Sequence, residues 1–83
     1  MSEGRVFAFV LAVTEIGKEH QVAQKVLEAS KEVGVEARTF IVYGEYDLVI
    51  ELSSKSLKDI DRAVTMIRSL PGVLRTVTLI SAE

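Results

Sequence analysis

VYGEYDLVIEL, residues 42–52, lies at the middle of an 83-residue chain and sets the reading of everything around it. From Tyr46 on, YDLVIELS (residues 46–53) is strand-like, and so is VEARTFIVY (residues 35–43) before it. Only Gly44 and Glu45, or a slightly longer turn, separate the two, which makes a β-hairpin the economical reading. Gly44 would supply the positive φ that such turns demand. Asp47 stands where a buried strand begins. Either it serves the turn, as Asp often does, or it forms one wall of a binding site.

Outward from the hairpin, the periodicities change in a regular order. VFAFVLAV (residues 6–13) is apolar at every position, and its β-branched and aromatic content favours a strand covered on both faces. GKEHQVAQKVLEASKEVG (residues 17–34) places Val22, Ala23, Val26, Leu27, Ser30 and Val33 on one face of a helix, with Gly34 as its stop. SLKDIDRAVTMIRSLPG (residues 56–72) is a second helix with the stripe Leu57, Ile60, Val64 and Ile67. Ser56 and Asp59 have the spacing of a capping box, and Pro71-Gly72 ends the helix. VLRTVTLIS (residues 73–81) closes the chain as a fourth strand.

GVEART at Gly34 recurs loosely as GVLRTV at Gly72, each time after a helix and opening a strand. The order is therefore two βαβ units in tandem, βαββαβ. The expected fold is α+β and ferredoxin-like: a four-stranded antiparallel sheet with two helices on one face. Its other face is left bare. A sheet with one wet face should alternate, yet the first strand has no polar residue over 6–13 and the third offers Leu48, Val49, Ile50 and Leu52. Such a surface marks an interaction site, and sheet-to-sheet packing with a second copy covers it most simply. Size argues the same way. A chain this short buries only about 60% of its unfolded surface, and with no cysteine it has no disulfide to compensate.

Composition excludes several functions. A net charge of −2 with interleaved signs gives no footprint for direct contact with nucleic acid. Phe7, Phe9, Phe40, Tyr43 and Tyr46 do not fall in the string that RNA-binding sheets use, and they suit a dimer core better. The apolar run near the amino terminus is too short to span a membrane and lacks the positive lead of a signal peptide, so a cytoplasmic protein with no membrane partner is expected. His20, the single histidine, lies among charged helix residues with no nucleophile or orienting acid identifiable beside it, so no catalytic residue is assigned. Asp59 and Asp61 on a helix flank make no metal site, GKEHQ at Gly17 is not a phosphate loop, and no cofactor is implied. A dimeric α/β-barrel oxygenase or isomerase would need pocket His, Asn or Trp, and the chain has neither Asn nor Trp. What remains is the hairpin, where Glu45, Tyr46 and Asp47 suit an ammonium group. Arg68 is either an anchor for a carboxylate or a favourable charge at a helix C-terminus.

Taken whole, the chain resembles the ligand-binding and oligomerisation (RAM) domain of the Lrp/AsnC family of transcriptional regulators. The likeness rests on Val42, on Gly44-Glu45-Tyr46-Asp47-Leu48, and on SLPGVLRTVTLI (residues 69–80). It implies one domain over residues 1–83 with the fold inferred above, paired sheet to sheet as a dimeric α/β barrel or sandwich, with dimers assembling into an octamer or similar ring. It further implies an amino-acid effector held in clefts between dimers. The ligand-binding residues carried over are Val42, Tyr43, Gly44, Glu45, Tyr46 and Asp47, with Arg68, Thr76 and Thr78 from the same or a neighbouring subunit. The family's helix-turn-helix has no counterpart before the first strand, so a stand-alone form that does not itself read DNA is expected. Such a form would sense an amino acid, or act as a structural partner of a full-length paralogue. An ACT-like amino-acid-binding domain shares the fold and is the alternative that Gly17 keeps open.

Overall fold

A computed structural model of the chain describes residues 4–81; residues 1–3 and 82–83, the two ends of the expected domain, lie outside the described residues. The elements are β1 (Val6–Thr14), α1 (Glu19–Glu32), β2 (Glu36–Ile41), β3 (Leu48–Ser54), α2 (Leu57–Arg68) and β4 (Val73–Ile80). They form one four-stranded sheet in the order β2-β3-β1-β4, with all three neighbouring pairs antiparallel. This is the ferredoxin-like βαββαβ arrangement that the tandem repeat predicts.

Register decides which residues the helices cover. Ala8, Val10 and Ala12 of β1 stand opposite Leu52, Ile50 and Leu48 of β3, and all six are fully buried. Val22 and Val26 of α1 and Ile60, Ala63 and Ile67 of α2 complete the same cluster. The sequence reading counted Leu48, Ile50 and Leu52 toward the bare face, and the structure corrects that. Strand residues alternate in direction, so Val49, Glu51 and Ser53 of β3 face away from the helices. A buried side chain of this size contributes about 1.5–3 kcal/mol, so the helix-side rows carry most of the fold's stability.

The opposite face is nonetheless apolar. One cross-strand row runs Phe40, Val49, Leu11, Val77, and the next runs Arg38, Glu51, Phe9, Leu79. Phe9, Phe40 and Leu79 are 37%, 43% and 52% exposed, which leaves large apolar side chains in water with no helix over them. Charge enters it at Glu51, in the middle of β3, and otherwise at the β2 and β1 ends. Arg38 lies 3.8 Å from Glu51 and over the Phe40 ring, while Arg5 joins Glu36 at 3.2 Å and Ser53 Oγ at 2.8 Å.

The helices depart from the expected stripes in instructive ways. In α1, Ala29 is buried and Leu27 is exposed, because the small side chain fits the close approach to the sheet. In α2, Leu57 is likewise exposed and Ala63 takes a core position. Ser56 Oγ accepts from the N–H groups of Lys58 (3.1 Å) and Asp59 (3.4 Å), so the N-cap forms as expected. The reciprocal half of the box does not. The Ser56 N–H donates instead to Ser54 Oγ at 3.2 Å, and the Asp59 carboxylate pairs with Arg62.

Candidate functional site

The hairpin turn is longer than two residues. It covers positions 42–47, and the Val42 N–H donates to the Asp47 carbonyl at 3.0 Å to close it. Gly44 has φ +124°, a conformation other residues rarely adopt, so the turn needs its glycine. Tyr43 and Glu45 are exposed at the tip, while Val42, Tyr46 and Asp47 are half-buried at its base.

Asp47 has a clear structural task. Its N–H donates to the Ala12 carbonyl at 2.9 Å, and its Oδ2 accepts from the Thr14 N–H at 2.9 Å. Both bonds tie the turn to the end of β1, beside an irregularity where β1 and β4 slip register between Val13 and Thr14. That slip leaves Leu74 unpaired in β4 as a bulge, while on the β3 side the ladder ends at Ala12 and Leu48, so the Thr14 N–H lies beyond the last rung and needs another acceptor. The carboxylate of Asp47 fills that role. It fixes the turn through a residue 33 positions away, not through its own loop.

The other expected residues lie beside an open groove of about 500 Å³ lined by Arg68, Val73, Leu74, Arg75, Thr76 and Thr78. Thr76 and Thr78 pair with Ala12 and Val10, so their hydroxyls stand on the helix side of the sheet, along the edge strand and next to the end of α2. Arg68 is in the last turn of α2. Arg75 connects this groove to the hairpin, with its guanidinium carbon 5.6 Å from the centre of the Tyr46 ring. Such a contact is worth about 0.5–1 kcal/mol at an exposed site. The structure therefore brings together Arg68, Thr76 and Thr78 directly. It joins Tyr46 and Asp47 to them across β1 and β4, and leaves Tyr43 and Glu45 out at the tip.

No group of three or more His, Cys, Asp or Glu suited to a metal ion occurs among the described residues, and none of their helices is long and apolar enough to cross a membrane. His20 is exposed on α1.

No protein-family profile matches the chain. The HTH-type transcriptional regulator FL11 of Pyrococcus furiosus is 31% identical to it over 75 residues, which are 90% of this chain and 47% of FL11. The chain thus spans about half the length of the curated relatives it matches. The solved structure of FFRP-DM1 superposes with a TM-score of 0.78 at 40% identity, covering 92% of this chain and 97% of that one. AsnC of E. coli superposes with a TM-score of 0.70 at 22% identity, over 94% of this chain and 51% of AsnC, a likeness of fold. The chain belongs to the Lrp/AsnC family. It is the family's RAM-type domain, and the described residues include no helix-turn-helix, since two strands separate their helices.

The two segments that carry the Lrp/AsnC likeness in sequence, the hairpin and residues 69–80, meet at one end of the sheet. Arg75 is the residue the sequence reading missed there. It stands between Leu74 and Thr76 in the quoted stretch, but its pairing with Val13, which places it by the hairpin, has no sequence mark.

Proposed function

We propose that this chain is a regulatory module of the Lrp/AsnC type that binds a small amino acid and works as an assembly, without enzymatic activity. In this reading two copies pack sheet to sheet through the face bearing Phe9, Leu11, Phe40, Val49, Val77 and Leu79. The homodimers then join into an octamer or similar ring in the cytoplasm. The observation that carries it is that face, apolar along the row of Phe40, Val49, Leu11 and Val77 and interrupted by Glu51, which stands opposite Phe9 and pairs with Arg38. A stable interface buries about 800 Å² per partner around an apolar core, and a sheet face of this kind suits one.

The effector would sit where dimers meet, against the hairpin (Val42, Tyr43, Gly44, Glu45, Tyr46, Asp47) and the groove of Arg68, Thr76 and Thr78. Threonine hydroxyls and guanidinium groups suit the polar ends of an amino acid. A site shared by subunits exists only when they meet, so ligand would stabilise the assembly and assembly the site. The test is a thermal-shift panel of all twenty amino acids at millimolar concentration, repeated at two protein concentrations. A shift with at least one amino acid is expected, and no shift with any of them would end the sensing reading.

A second reading is a structural partner of a full-length regulator, for which the same open sheet face would serve. Mixing through the same sheet face would change the make-up of such a complex without any ligand. Co-purification with a DNA-binding paralogue supports it. Retention of that partnership in a variant that has lost all amino-acid response separates it from sensing.

A further inference from the structure

The chain has five arginines, and three of them face carboxylates: Arg5 with Glu36 at 3.2 Å, Arg38 with Glu51 at 3.8 Å, and Arg62 with Asp59 at 3.8 Å. The remaining two, Arg68 and Arg75, have no carboxylate within salt-bridge distance among the described residues, and both line the same groove. No carboxylate lines it with them. In a chain of net charge −2, two unanswered cations in one concavity are a local reversal of sign. The hydroxyls of Thr76 and Thr78 complete a lining able to donate to anionic oxygens. The nearest carboxylate of the hairpin base, Asp47, is already engaged by the Thr14 N–H.

We propose that this groove selects a ligand carrying two carboxylates, an acidic amino acid in preference to its neutral amide. The inference rests on the amino-acid reading above and narrows it by charge. Arg68, at the end of α2, holds one carboxylate. Arg75, on the other face of β4 and steadied by the Tyr46 ring, reaches the groove's rim and holds the other, with the threonine hydroxyls on the Arg68 side. A guanidinium and a carboxylate form charge-assisted, frequently bidentate hydrogen bonds, and a neutral amide offers neither the charge nor the second acceptor. The groove's volume falls within the range of small-ligand sites.

Isothermal titration of the wild-type assembly with L-glutamate, L-aspartate, L-glutamine, L-asparagine, L-lysine and inorganic phosphate tests this. The acidic amino acids are expected to bind at least about tenfold tighter than their amides, the scale of one charge-assisted hydrogen bond. Arg75→Gln is expected to shrink that preference to within about threefold. Both arginines are exposed, so the fold should survive, and circular dichroism checks it. Tighter binding of a neutral or basic amino acid overturns the charge assignment and leaves sensing intact. Phosphate binding as tightly as glutamate overturns it too, since the groove would then be an unselective anion site. Failure of every amino acid to bind removes this inference together with the sensing reading.

Discussion

Replacing Asp47 tests the claim that a carboxylate from the hairpin holds the end of β1. Asp47→Ala deletes one charge-assisted hydrogen bond of 2.9 Å and leaves the Thr14 amide, in a part-buried setting at a register slip, without its acceptor. Bonds to a charged group contribute about 1.5–3 kcal/mol, and partial exposure places this one near the lower end, at about 1.5 kcal/mol. The backbone bonds from Val42 to Asp47 and from Asp47 to Ala12 do not involve the side chain and remain. For a domain of this size a loss of 1 kcal/mol lowers Tm by about 4–8 °C, so Asp47→Ala should melt about 6–12 °C below the wild type. Asp47→Asn keeps a carbonyl acceptor without the charge and should lose about half as much. The measurement is thermal or urea unfolding at matched protein concentration, because any self-association adds a concentration-dependent term. Amide exchange gives a local check, with the Thr14 N–H losing protection in the Ala variant ahead of its neighbours. If Asp47→Ala unfolds within about 0.3 kcal/mol of wild type, or the Thr14 amide keeps its protection, the tie does not exist as described.

Three further substitutions probe other parts of the account. Gly72→Ala puts a Cβ 3.0 Å from Val22 Cγ2 at a residue with φ +96°, so a loss of about 1–3 kcal/mol in chemical denaturation is expected, against near-neutrality if the turn can relax away from α1. Ser56→Ala removes the acceptor for two amides at the start of α2 and should cost about 1 kcal/mol by the same measurement. Phe9→Asp adds a carboxylate opposite Glu51 and beside Leu79 on the open face. It is expected to weaken self-association at least tenfold in sedimentation velocity while leaving far-ultraviolet circular dichroism unchanged.

Element order, the hairpin and the helix stops were legible in the sequence because each has a local cause. Gly44, Pro71-Gly72, the N-cap at Ser56 and the helical spacing of Val22, Val26, Ile60 and Ile67 act within a few residues of themselves. The faces of the sheet were less legible. A strand apolar at every position, as β1 is, does not say which half goes under the helices, and β3 was misjudged because Leu48, Ile50 and Leu52 are conspicuous without being exposed. Alanine in the core was hidden for the opposite reason: Ala29 and Ala63 lack the hydrophobicity that draws the eye to Leu27 and Leu57. The candidate site was half legible. Residue types at the hairpin and in the last strand raised the right positions, but the partner of Asp47 is Thr14, 33 residues away, and no spacing rule reaches that far. Arg75 comes beside Tyr46 only once β4 has been laid against β1, opposite Val13.

The open face of the sheet is the feature on which assembly and a shared ligand site both depend. Light scattering coupled to size exclusion, at micromolar protein and without ligand, measures its consequence directly. The account predicts a particle at least twice the 9.1 kDa chain mass. A stable, monodisperse species at the single-chain mass across that range would contradict it.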